Sequence, residues 1–285
     1  MRKSKEENNK EKNNKEKNGK SSLKKFIFSI VIIFIIITAI YTALSAYKWQ
    51  LLANAIISNT PSIVYDSEGN IIAEIGKERK QFNVSINEMP SNLKNAYVGI
   101  EDQRFYNHFG IDIKRTSAAI FNYVFKGKTS FGGSTITQQL AKNITNDNST
   151  SVYRKVNEWF RAVSLEAFLS KDEILEAYLN IIYVGPNIYG VKNAAKYYFD
   201  KDLSDLSLAE CSFLAGLNHS PNSYNPFLEE KDNSEKIEKR TKIVLNKMLE
   251  LNSISQDEFN LAINEVENGL AFKKGSITSN RKWYI

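Results

Sequence analysis

The hydrophobic pattern changes abruptly after a polar start. Phe26 to Ala46 reads FIFSIVIIFIIITAIYTALSA, 21 residues without a formal charge. As a helix it is about 31 Å long, the thickness of a bilayer's hydrocarbon core. It is apolar on every face, which predicts a transmembrane helix over 26–47. The apolar region of a cleaved signal peptide is shorter, roughly 7–15 residues. Gln50–Ser58 reads as a short helix continuing from it, and Ser62–Asp66 and Ile71–Ile75 flank a turn as a β-hairpin. Beyond Pro90 the period becomes helical. It predicts helices over Ser91–Ile100, Ile113–Phe125, Ile136–Asn143, Val152–Leu169, Lys171–Tyr183, Val191–Phe199, Leu208–Leu217, Glu235–Leu251 and Gln256–Asn268. Ser170-x-x-Glu173 and Ser255-x-x-Glu258 are capping boxes. Gly185-Pro186-Asn187 and Tyr224-Asn225-Pro226 mark loops, and Phe272–Ile285 carries no clear element. The expected exported domain is mainly α with a small β entry.

Composition narrows the class. With Cys211 alone there is no disulfide framework or cysteine-rich zinc module, and two histidines, His108 and His219, make a multi-histidine metal site improbable. The net charge of +6 over 285 residues invites a nucleic-acid reading. Its location removes that reading. The first 25 residues hold ten Lys/Arg and four Glu, so the remainder is formally neutral with 28 of each sign. Residues 1–25 therefore read as a disordered, basic, cytoplasmic tail, and the positive-inside rule sends everything after Tyr47 outside. No nucleic-acid partner is expected.

Three clusters in the helical region are dense in polar groups. Glu101-Asp102-Gln103-Arg104-Phe105-Tyr106-Asn107-His108-Phe109 follows an apolar helix. A carboxylate at such a helix end, among aromatic rings, suits proton abstraction, although an isolated Glu-Asp pair more often marks a solvated turn. Gly132-Gly133-Ser134-Thr135 enters a helix that carries Gln139 and Lys142 on one face. Ser134 or Thr135 can cap this helix, whose free N–H groups favour an anion. It is not a phosphate-binding Walker loop, since no Gly-Lys-Ser/Thr follows. Arg154, Lys155 and Glu158 share a face of an amphipathic helix, either as an exposed salt bridge or as cations for a diphosphate beside an acid.

Together these blocks closely resemble glycosyltransferase family 51. These are the peptidoglycan glycosyltransferases of class A penicillin-binding proteins and monofunctional transglycosylases. The matching blocks run in order: EDQRFYNHFGID at 101–112, GGSTITQQLAKN at 132–143, RKVNE at 154–158 and KDEILEAYLNIIYVG at 171–185. YGVKNAAKYYF at 189–199, LSLAECSFLAGL at 206–217 and SPNSYNP at 220–226 continue the match. Asn218-His219 departs from the family's usual Pro-Gln or Pro-Lys pair, at a place outside the catalytic blocks.

The resemblance implies a lysozyme-like helical lobe with a small, membrane-proximal jaw lobe, spanning residues 48–270 ahead of a C-terminal tail, 271–285. It implies lipid II as substrate, with the growing glycan on undecaprenyl diphosphate, and a single-pass bacterial membrane protein whose catalytic domain is extracytoplasmic. Glu101 would be the general base and Glu158 the second essential acid, beside the leaving diphosphate. Lys142, Arg154 and Lys155 would hold the diphosphate. Asp102, Phe105, His108, Ser134, Thr135 and Gln139 would shape the cleft or hold sugar and phosphate. A divalent cation, magnesium or manganese, is associated with the family, although the sequence shows no all-protein cage for it and its ligands are unknown. No organic cofactor is expected. Proteins of a cell-wall synthesis complex are the expected macromolecular partners.

Two other classes compete with this reading. A membrane-anchored lytic transglycosylase or muramidase would share the lobe and an essential Glu but cut glycan, and a scaffold would carry a decayed site. The synthetic family's own blocks oppose the first, and intact Glu101 and Glu158 oppose the second. The Ser-x-x-Lys at Ser22–Lys25 lies in the tail, and no penicillin binding is expected.

Overall fold

The structure is a computed structural model that describes residues 28–33, 36–37, 40, 62–65, 71–75, 84–126, 133–145, 151–186, 188–228 and 232–276. The chain divides into two compact units, Met1–Lys48 and Trp49–Ile285. In the first, the expected span over 26–47 falls largely outside the described residues. Those described within it are helical, and their side chains are exposed. Among the described residues no helix is long and apolar enough to cross a membrane. The short helix expected at Gln50–Ser58 and the tail at 1–25 lie outside the described residues.

The second unit is mainly helical, with a small antiparallel pair, β1 (Ser62–Tyr65) and β2 (Ile71–Ile75), as the alternation predicted. Its helices are α1 (Ser91–Glu101), α2 (Ile113–Lys126), α3 (Ile136–Thr145), α4 (Val152–Phe168) and α5 (Lys171–Ile181). After the strands β3 (Tyr183–Gly185) and β4 (Ile188–Tyr189) come α6 (Val191–Phe199), α7 (Leu208–Leu217), α8 (Ser234–Glu250) and α9 (Gln256–Glu267).

The organising element is α7. All of its residues after Leu208 are buried, which explains why its sequence shows no polar face. Its start is fixed by a capping box between Ser207 and Glu210. Glu210 is buried and is held by both of its oxygens on Lys201 Nζ, at 2.8 and 2.9 Å. Around it pack α1, α8 and α9, and the buried Tyr97 hydroxyl donates to Leu214 O at 2.9 Å. Cys211 lies in this core, where burial pushes its thiol pKa up to about 12. It is a packing residue, as its apolar helix suggested.

The other packing group is α3 against α4 and α5. The capping boxes at Ser170 and Ser255 form as their spacing predicted. Several boundaries shift by one or two residues, and the shift that changes the topology is at α5: it ends at Ile181, and Tyr183–Gly185 pairs with Ile188–Tyr189 as a tight hairpin. Gly190 ends this hairpin at φ +80, where a Cβ would meet Asn180 O at 2.5 Å, so only glycine fits. Residues 271–276 have no regular structure but lie on α6, with Lys273 N donating to Tyr198 O and Gly275 N to Tyr197 O. Phe272 packs there among Phe199, Phe213 and Phe227.

Candidate active site

A cleft of about 560 Å³ opens between the α7 group and the α3–α4 pair. Glu101, the last residue of α1, lines it. The backbone beyond it turns inward, because Asp102 caps α1 through its N–H to Val98 O and is itself fully buried. Gln139 on α3 donates from Nε2 to Glu101 Oε2 at 2.7 Å. Gln139 Oε1 in turn accepts from the Tyr178 hydroxyl at 3.0 Å and from Asn218 Nδ2 at 3.2 Å. Arg115 on α2 donates to Glu101 O at 2.8 Å.

The facing acid is held differently. Glu158 on α4 also lines the cleft, yet only 4% of it is exposed. Arg154 donates to Glu158 Oε2 at 2.6 Å, and Lys155 pairs with Glu158 Oε1. Lys155 also donates to Ser134 Oγ at 2.8 Å, tying α4 to the entry of α3. These are the i,i+3 and i,i+4 pairs that the helical spacing predicted, but they form a cleft wall, not a solvated face. Arg154 Nε is buried and has no hydrogen-bond partner among the described residues. Lys142 is exposed on the same cleft, one turn beyond Gln139.

Asp102, Phe105, His108 and Thr135 do not line the cleft; they build the wall behind it. The Asp102 carboxylate accepts through Oδ2 from Ile136 N, the first residue of α3, at 3.0 Å. The anion that the α3 N-terminus invites is thus supplied by the chain itself. His108 Nδ1 accepts from Gly110 N at 3.0 Å, which leaves the Nε2 proton to donate to Asp102 Oδ2 at 2.8 Å. Thr135, not Ser134, caps α3: its Oγ1 accepts from Gln138 N, and Gln138 Oε1 accepts from Thr135 N. Its hydroxyl donates to Gly110 O at 2.7 Å. Buried Phe105 packs edge-on to His108, under Lys171 Nζ at 4.6 Å from its ring centre.

Sequence reasoning missed several lining residues, among them Arg115, Asn143, Tyr183 and Arg240. Arg240 sits on α8 amid alternating charges that look like any solvated helix. No local spacing brings it to a cleft whose acids lie on α1 and α4. Asn218 and His219 also line the cleft. This departure, outside the catalytic blocks in sequence, is brought by the fold against Gln139.

Among the described residues no group of three or more His, Cys, Asp or Glu side chains could hold a metal ion. Glu101 is engaged by Gln139, and Glu158 by two cations. The described residues therefore form no protein cage for the expected magnesium or manganese ion.

The cleft thus sets a hydrogen-bonded carboxylate beside a cation cluster, an arrangement able to hold an anionic group. The transglycosylase family pattern matches residues 68–249, more than half of the chain. Penicillin-binding protein 1A of Clostridium perfringens (strain 13 / Type A) is 46% identical over 235 residues, which are 79% of this chain and 34% of that protein. Penicillin-binding protein 1A of Neisseria lactamica is 42% identical over 205 residues, 72% of this chain and 25% of that protein. The crystal structure of penicillin-binding protein 1A from Haemophilus influenzae covers 76% of this chain and 22% of its own, at 23% identity and a TM-score of 0.39. The chain belongs to the transglycosylase family, the peptidoglycan glycosyltransferases. It spans between a quarter and about a third of the length of these curated relatives.

Proposed function

We propose that the chain polymerises lipid II into β-1,4-linked glycan strands and releases undecaprenyl diphosphate. The observation that carries this is the pairing, in one cleft, of Glu101 on Gln139 with the Arg154–Lys155–Glu158 trio. Glu101 takes the proton from the acceptor sugar's 4-hydroxyl as that oxygen attacks the anomeric carbon of the growing chain's terminal sugar. The bond to the diphosphate breaks with inversion, and its electrons stay on the leaving group. Diphosphate leaves readily, so a base and cations suffice and no protein nucleophile is needed.

Lys142, Arg154 and Lys155 hold the diphosphate in this scheme. The open donor at Arg154 Nε supports it, since a buried N–H without an acceptor is costly and an incoming phosphate oxygen relieves that. Glu158 is saturated by two cations, which supports the role of a counterion that aims them and argues against a role as proton donor. Among the other expected substrate contacts, Ser134 and Gln139 line the cleft. Asp102, Phe105, His108 and Thr135 act by holding its wall.

The finer architecture in this reading is a lysozyme-like lobe with a smaller jaw over 48–270. A basic cytoplasmic tail (1–25) and a membrane anchor (26–47) precede it, and a tail (271–285) follows. The anchor keeps an extracytoplasmic site at the bacterial membrane surface, where a lipid-linked substrate and the proteins of a cell-wall complex would meet it.

The test is the purified chain with lipid II in detergent, with the glycan strands resolved by size. Polymer from wild type and none from Glu101→Gln is the expected result. Shortening of preformed glycan without growth would replace this reading with the lytic one.

A further inference from the structure

We infer that Asn218 and Tyr178 are positioning residues that lock the Gln139 side-chain amide in the one orientation that serves Glu101. The inference rests on the proposed reaction and adds residues to it.

An amide side chain has two nearly isosteric ends of opposite polarity. Toward Glu101, Gln139 presents Nε2, which donates to the carboxylate at 2.7 Å. Turned over, it would present a carbonyl oxygen to a carboxylate oxygen, and the two would repel. What prevents the turn is at the other end. Gln139 Oε1 faces two donors, the Tyr178 hydroxyl at 3.0 Å and Asn218 Nδ2 at 3.2 Å. Asn218 Nδ2 also donates to the Tyr178 oxygen at 3.1 Å, closing a three-membered ring of hydrogen bonds. Tyr178 is fully buried on α5, and its phenol pKa is pushed well above the usual value by burial first and then by the Glu101 charge. It therefore stays protonated and keeps donating. Asn218, the C-cap of α7, supplies the donor that the Tyr178 hydroxyl, with its single proton, cannot. The relay joins three helices, α3, α5 and α7, at one carboxylate. A carboxylate with a fixed hydrogen-bonding partner spends its time in the orientation that receives the proton.

The decisive variants are isosteric. Asn218→Asp keeps the shape but replaces the donor with an acceptor, so Gln139 turns its amide toward residue 218 and its carbonyl toward Glu101. Asn218→Ala merely removes one donor. With the full chain and saturating lipid II, kcat should fall about a hundredfold for Asn218→Asp and roughly tenfold for Asn218→Ala. The added negative charge also weakens binding of the anionic substrate, and that appears separately in KM. Tyr178→Phe keeps the ring in the core and should lower kcat roughly fivefold. In a Gln139→Ala background, Asn218→Asp should change kcat by less than about twofold, because the amide it would turn is gone.

An Asn218→Asp variant no slower than Asn218→Ala would overturn the relay. So would an Asn218→Asp effect that survives intact in Gln139→Ala. A wild-type chain that makes no glycan overturns the proposed reaction and this inference with it. A wild type that makes glycan beside an Asn218→Asp variant of equal kcat overturns this inference alone.

Discussion

The two acids of the cleft are held in opposite ways. Glu101 stands at the end of α1 on a neutral amide, while Glu158 is buried in α4 between Arg154 and Lys155. A carboxylate on a neutral donor retains lone pairs that can accept a proton. A carboxylate saturated by two cations has its charge already spent on orienting them. In the proposed reaction the same residue type thus serves as a base on one wall and a counterion on the other, and the difference lies in the neighbours.

The sharpest break of that comparison is the matched pair Glu101→Gln and Glu158→Gln. Glu101→Gln should lower kcat about a thousandfold, because the proposed general base is removed, and it should leave the melting temperature nearly unchanged. Glu158→Gln should cost less in kcat, roughly ten- to a hundredfold. It should also destabilise the fold by about 2 kcal/mol, since Arg154 and Lys155 lose their shared counterion at a site only partly open to water. Glycan synthesis and calorimetry on both variants measure this. Equal losses of stability would mean that the two acids are not held differently.

The two walls also differ in how legible they were. The Glu158 wall is local: three residues within five positions, on one helix face, whose pairing follows from 3.6 residues per turn. The Glu101 wall is not. Gln139 lies 38 positions away, Tyr178 a further 39, and Asn218 79 beyond Gln139. Periodicity placed each of these on or at the end of the correct helix, but only packing brings the helix ends together. Asn218 therefore reads in the chain as a departure outside the matching blocks, while in space it reaches the residue that holds Glu101. The fold itself was mostly readable, because caps and periods are local. Ser207-x-x-Glu210 has the same spacing as the two capping boxes that were recognised, and the structure shows it starting the central helix. The β3–β4 hairpin was hidden because Ile181-Ile182-Tyr183-Val184 continues an apolar run that fits helix and strand alike.

The wall behind Glu101 offers a test intermediate in size. Gly110 sits at φ +94, and a Cβ there would lie 2.6 Å from Ala162 O on α4. Its N–H fixes the His108 ring, and its carbonyl receives the Thr135 hydroxyl. Gly110→Ala must therefore push α4 away from the loop that carries Asp102 and His108. A loss of about 3 kcal/mol is expected, read by urea denaturation. The Arg154–Lys155–Glu158 trio, being local to one helix, should keep its own geometry. Residual activity at low temperature should therefore fall mainly through kcat, with KM nearly unchanged.

The smallest expected effect concerns acid. Asp112 is buried at the start of α2, and although burial alone would raise its pKa, the Arg104 guanidinium and the Arg115 N–H lower it below the usual 3.8. Glu173 and Glu258 are lowered below 4.5, first by the backbone N–H groups of Ser170 and Ser255 and then by their hydroxyls. A carboxylate whose folded pKa lies below its unfolded one stabilises the fold fully above the unfolded value and loses that contribution as pH falls through the folded value. Stability should thus be flat from neutrality to about pH 5 and fall below about pH 4.5. Asp112→Asn keeps an oxygen for the Arg115 N–H but removes the charge facing Arg104. Its melting temperature should be lower than wild type at neutral pH and should fall less steeply in acid, the two curves converging as pH falls through the lowered Asp112 pKa. A variant curve parallel to wild type throughout would mean that Asp112 supports the loop after Glu101 by shape alone, without its charge.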